Sequence, residues 1–173
     1  PARLKKKYWR ETAKARREAL LPFFWGTLAK QGVVLGNRDL GSLVEVSNPH
    51  HFSYPGYAEI LTGQPQVSIT SNKAVRSPHE TVLEYVGRKL ELPVEKVAAV
   101  CSWSVFNAIT AKVAGSIFCN AGFEAVPPKY LTPGMAGAND AQFRLTTPWD
   151  TVRHDWVTLT IANEYLKSQQ PKL

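Results

Sequence analysis

Two polar residues are placed where they could do chemistry. Ser53 opens the run Ser53-Tyr54-Pro55-Gly56-Tyr57-Ala58-Glu59-Ile60-Leu61-Thr62-Gly63, and Asn72 begins the pair Asn72-Lys73 nineteen residues later. A serine hydroxyl is a nucleophile once its proton is removed or its charge is stabilised. An asparagine amide can donate to an oxygen on which negative charge develops. Pro55 suits the first turn of a helix, where its missing N–H is no loss, and Gly63 suits the stop. Tyr57, Ile60 and Leu61 fall at i, i+3 and i+4, which predicts one buried helical face. Ser53 is thus expected at or just before a helix N-terminus, where free N–H groups and the helix dipole favour an anion. A hydroxyl in that position also serves as an N-cap, and Asn72 also reads as a turn residue.

At this stretch the chain resembles the nucleophile segment of the alkaline phosphatase superfamily. The pattern is that of the nucleotide pyrophosphatase/phosphodiesterase branch, in which a Thr or Ser precedes aromatic-Pro and the helix ends in Thr-Gly, as in Thr62-Gly63. Asn72-Lys73 is similar to the Asn-Lys pair that follows in that branch. The resemblance implies a partial three-layer α/β/α sandwich with a mostly parallel sheet, as in an alkaline phosphatase family hydrolase. It implies a phosphoric-ester substrate, Ser53 as nucleophile and metal ligand through a phosphoseryl intermediate, Asn72 binding a phosphoryl oxygen, and two divalent metal ions, zinc by analogy. It also suggests a periplasmic or extracellular location. A sulfatase signature departs at one position, where Tyr57 replaces the required Arg; a phosphomutase of the same superfamily remains an alternative.

The metals need Asp and His ligands that these residues do not offer. His50 and His51 are adjacent and point to opposite faces of an extended chain. His154-Asp155 falls inside an expected helix, and Asp39 in a loop. The reading is therefore an internal fragment that starts after the first strand and ends before the later ligands. It would carry Ser53 but no metal, would be inactive alone, and would need the rest of its own chain.

The elements that would position these residues alternate between helix and strand. With 173 residues and 44% hydrophobic content, a single, incomplete domain with a sizeable core is expected. Residues 5–20 read as one basic helix with Tyr8, Ala15 and Ala19 inward, and Phe23 to Gln31 as a second after Pro22. Val33-Val34-Leu35 reads as a short strand. Ser77-Pro78-His79-Glu80 reads as a capping box opening a helix with Val82, Leu83, Val86 and Leu90 on its apolar stripe. Val97–Cys101 is a buried parallel strand by its continuous apolar run. Trp103 to Val113 reads as helix, Ser116–Cys119 as strand, 125–147 as a long irregular loop, and Thr147-Pro148 as the start of a last helix reaching Lys167. Cys101 and Cys119 lack metal-ligand spacing and read as buried thiols, a disulfide remaining open.

The net charge of +7 sits mostly at one end: residues 1–18 carry eight Lys/Arg against two Glu, a net of +6. Such a run suits anionic lipid, nucleic acid or a solvated helix face. No stacking motif supports nucleic acid as a partner, and no apolar run is long enough for a membrane span. A non-enzymatic α/β module that binds anions or nucleic acid through the basic helix is the reading of another class.

Overall fold

A computed structural model describes residues 1–173, which fall into two compact units, Pro1–Glu45 and Val46–Leu173. In the first, α1 (Ala2–Tyr8) and α2 (Ala13–Leu20) precede a helix that passes through a π-helical stretch, Phe24–Leu28, into α3 (Ala29–Gln31). The single helix expected over 5–20 is thus two. Trp9 turns extended, and the Thr12 hydroxyl caps α2 by accepting the Ala15 N–H at 3.1 Å. Tyr8, Ala15 and Ala19 are half-buried, as the inward face requires. Val33–Leu35 is not a strand: no neighbour pairs with it, and Val33 is 86% exposed.

The second unit is an α/β fold. Its elements are α4 (Ser53–Thr62), α5 (Val82–Lys89), β1 (Ala98–Cys101), α6 (Phe106–Ile109), β2 (Phe118–Ala121), α7 (Pro133–Ala141) and α8 (Asp155–Gln169). β1 and β2 pair in parallel, Ala98 opposite Phe118 and Cys101 opposite Ala121. Successive strand residues point to opposite faces, and helices cover both. Ala98, Val100 and Phe118 pack with Met135 and Ala138 of α7 and with Val157, Ile161 and Tyr165 of α8. Ala99 packs on the other side with Val97, Ala111, Ile117 and Leu83 of α5. The Phe118 and Tyr165 rings stack 4.0 Å apart.

Several boundaries differ from those read in the sequence, each for a tertiary reason. The capping box sits one turn later, on Thr81 and Glu84. Glu80 instead pairs with Arg88, while Glu84 gathers donors from three places. It accepts the N–H groups of Thr81 (3.2 Å), Lys112 (2.8 Å) and Val113 (2.9 Å) and the Ser116 hydroxyl (2.9 Å). That web also holds 110–116 out of the helix expected to Val113, leaving α6 short. The second strand begins two residues late, at Phe118.

Residues 125–147 are not irregular throughout. Thr132-Pro133 opens α7, where Met135 and Ala138 enter the core. Gly134, which lowers helix propensity, faces the Glu164 side chain of α8, whose carboxylate would have to shift for a Cβ there. The last helix starts at Asp155 rather than after Thr147. Residues 151–153 are held extended beside 102–104, with Ser104 N–H donating to Thr151 O and Arg153 N–H to Ser102 O.

Arg153 ties these pieces together from within. It is 1% exposed and donates to the Asn120 side chain (2.7 Å), the Asn120 carbonyl (3.2 Å) and the Thr158 hydroxyl (2.9 Å). Burial lowers its pKa, since no carboxylate pairs with it. Cys101 and Cys119 are free and half-buried, and burial pushes the Cys101 thiol up to about 12.

Burial opposes ionisation of Glu84, but the hydrogen bonds from Val113, Lys112, Thr81 and Ser116 outweigh it and hold its pKa below 4.5. Its stabilisation is therefore complete above the ordinary carboxylate range and is lost as pH falls through the lower folded value. Glu84→Ala, which strands buried backbone donors, should destabilise the protein by about 3 kcal/mol at pH 7. It should also flatten the acid limb of the stability profile, measured by denaturant unfolding between pH 6 and pH 3.

Candidate functional site

The site is built on the first turn of α4. Ser53 is its first residue, after an extended Phe52 that supplies no capping side chain. Gly63 closes the helix in the left-handed conformation, φ 73°, as its position predicts. The buried face differs from the expected one. Tyr54, Pro55 and Ala58 are buried, whereas Tyr57 is 39% and Ile60 68% exposed. The row Tyr54, Ala58, Leu61 faces Ile69, Val105 and Ile109 instead. A tyrosine that satisfies its hydroxyl inside outweighs one more Ile, and sequence spacing alone does not reveal that.

Tyr54 is 1% exposed, and its hydroxyl donates toward the carbonyls of Val75 (2.8 Å) and Ala108 (3.2 Å). Burial raises its pKa, partly offset by Arg76. Its backbone N–H donates to Asn72 Oδ1 at 2.9 Å. Asn72 thus provides, from eighteen residues away, the cap that Phe52 lacks. The two residues singled out in the sequence therefore meet at one helix turn.

This arrangement narrows the anion-binding capacity expected of the helix end. The Tyr54 N–H is taken by Asn72, and Pro55 has none. The Ser53 N–H has no acceptor in the chain, and neither does Asn72 Nδ2. One backbone donor, one amide donor and one hydroxyl are thus available around the exposed Ser53.

A cavity of about 320 Å³ opens at Ser53 and includes His50, His51, Gly56, Tyr57 and Ile60. Its wall is fixed by Glu59, a residue the sequence reading passed over. Glu59 Oε1 accepts the Ser47 N–H (2.6 Å) and hydroxyl (2.8 Å), and Oε2 the Asn48 N–H (3.0 Å) and side-chain amide (2.7 Å). Asn48 Oδ1 in turn accepts the His50 N–H at 3.0 Å. The Asn48 and Ser47 donors hold the Glu59 carboxyl down to about 2. The signal was present as Ser47-Asn48-Pro49, an Asx-turn sequence.

The metal ions implied by the resemblance do not fit this donor set. No group of three or more His, Cys, Asp or Glu side chains converges in the chain. The one carboxylate of the turn, Glu59, has both oxygens engaged by protein donors. His154 Nε2 lies against Thr146 O (3.0 Å) at the start of α8, and Asp39 pairs with Arg17 in the other unit. The cavity that holds Ser53, His50 and His51 has no Asp, Glu or Cys on its wall.

A second cavity, about 470 Å³, lies beside Tyr54, with the hydroxyls of Ser68, Thr70 and Ser71 and the cations Lys73 and Arg76 on its wall. Neither cation has an acidic partner. Arg76 is anchored by one bond, Nη1 to Ala111 O at 2.8 Å. Comparison with protein-family models, curated proteins and solved structures returned no match.

Removing the Glu59 clamp should loosen the loop without unfolding the core. In Glu59→Ala, amide hydrogen exchange at Ser47 and Asn48 should speed by tenfold or more, roughly what losing charge-assisted bonds permits. Protection in α8 should stay unchanged. Tyr54→Phe, which strands the Val75 carbonyl and leaves that of Ala108 with the Ser77 N–H alone, should lower stability by about 1–2 kcal/mol in denaturant unfolding.

Proposed function

We propose that the α4 turn is a phosphoryl-binding site and the nucleophile segment of a phosphoric-ester hydrolase. The observation that carries this reading is the Tyr54 N–H to Asn72 Oδ1 bond, which seats Asn72 against the helix turn that begins with Ser53. A phosphoryl group at the helix end could take the Ser53 N–H on one oxygen and Asn72 Nδ2 on another, with phosphorus facing the Ser53 hydroxyl. Lys73, next to Asn72, and Arg76 line the neighbouring cavity beside Tyr54 and add positive potential there.

Attack by the hydroxyl needs its charge stabilised. In the resembled superfamily two metal ions supply that. The residues of this chain bind and orient the ester and present the oxygen; they do not make the metal seat. Sulfatase and phosphomutase readings use the same turn and have no separate support.

Asn72 has a capping oxygen and a free amide, so two substitutions separate its roles. Asn72→Asp keeps an oxygen for the Tyr54 N–H but removes the donor and adds charge. It should retain the unfolding midpoint while weakening binding of an aryl phosphonate on the order of 100-fold, as loss of an oxyanion donor does. Ser53→Ala should bind the phosphonate within a few-fold of wild type. Equal affinity in Asn72→Asp and wild type, measured by calorimetry, contradicts the reading.

A further inference from the structure

Residues 1–45 contain no buried side chain. Leu4, Trp9, Leu20, Leu21 and Phe23 are each half or more exposed. The same segment has ten Lys/Arg against four Asp/Glu, a net of +6 out of the chain's +7. Only Arg17 is ion-paired, with Asp39. Between α1 and α2 lies an apolar groove of about 470 Å³, formed by Leu4, Tyr8, Trp9 and Leu20 with Lys5 and Arg16. The Lys5 ammonium and the Arg16 guanidinium lie 5.8 Å and 4.7 Å from the Trp9 ring centroid.

We propose that this unit docks on an anionic lipid surface, with Leu4, Trp9 and Leu20 at the headgroup–acyl boundary and the basic side chains among the headgroups. Charge complementarity and apolar exposure both select that partner. Stable attachment to a bilayer surface takes two signals, buried apolar area and attraction to anionic lipid, and here both lie on the same few turns. Trp and Tyr rings, apolar in body and polar at one edge, favour that boundary. A nucleic acid would satisfy the charges but leave Leu4, Leu20, Leu21 and Phe23 in water. No helix is long and apolar enough to cross a membrane, and a surface seat requires none. The inference is independent of the Ser53 reading.

The test is co-sedimentation of the full chain with vesicles of phosphatidylcholine alone or with about a third phosphatidylserine. Binding is expected to the anionic vesicles only, and to fade by about 0.5 M salt as charges are screened. The triple variant Lys5→Gln, Lys6→Gln, Lys7→Gln should lower the partition coefficient on the order of 100-fold. Leu4→Ser with Trp9→Ser should lower it tenfold or more at unchanged net charge. Neither should move the unfolding midpoint, since none of these side chains is buried. The proposal is overturned by absence of binding to anionic vesicles at low salt, by full binding of the Leu4/Trp9 variant, or by tighter binding to random-sequence RNA than to vesicles.

Discussion

The arrangement around Ser53 depends on the burial of Tyr54. One side chain, 1% exposed, joins three segments: its ring packs with Ile69, Val105 and Ile109, its hydroxyl reaches Val75 and Ala108, and its N–H reaches Asn72. A buried hydroxyl without partners is costly, so the segments at 69–75 and 105–109 must close on it together. Ser53, one residue earlier, is left exposed at the helix end with Asn72 beside it. The reactive oxygen is thus placed by its neighbour's packing, since Ser53 itself has no side-chain hydrogen bond.

Charges in the second unit act mainly as ties. Glu59 holds residues 47–48 against α4, Glu84 holds 112–116 against α5, and Arg153 holds β2 to α8. Each uses nearly all of its hydrogen-bonding capacity on the protein. The consequence for chemistry is that no carboxylate remains free to ligate or to accept a proton at Ser53. Lys73 and Arg76 are the contrast: charged, close by and without acidic partners. A turn with donors and cations but no free carboxylate is suited to hold an anion.

The local features of α4 were legible because they are backbone signals. Pro55 and Gly63 bound a helix whatever surrounds it, and the apolar run 97–101 gives a strand, Ala98–Cys101, that is parallel as expected but half-buried rather than buried. The meeting of Ser53 with Asn72 was legible only through the spacing of a known pattern. What stayed hidden was set by distant partners. Thr81 outcompetes Ser77 as a cap because Glu84 also serves Lys112 and Val113; the Thr132-Pro133 start was masked by Gly134, a poor helix former; and 151–153 is extended because 102–104 pairs with it. The tie made by Glu59 was not legible because its donors, Ser47 and Asn48, lie twelve and eleven residues upstream.

The central claim, that a phosphoryl group sits at the α4 turn, is tested most directly by titrating the isotope-labelled chain with inorganic phosphate and following amide resonances. The account predicts saturable shifts of the Ser53 N–H and the Asn72 side-chain NH₂, with smaller ones at Lys73. Shifts confined to the basic residues of 1–18, with Ser53 and Asn72 unmoved, would contradict it.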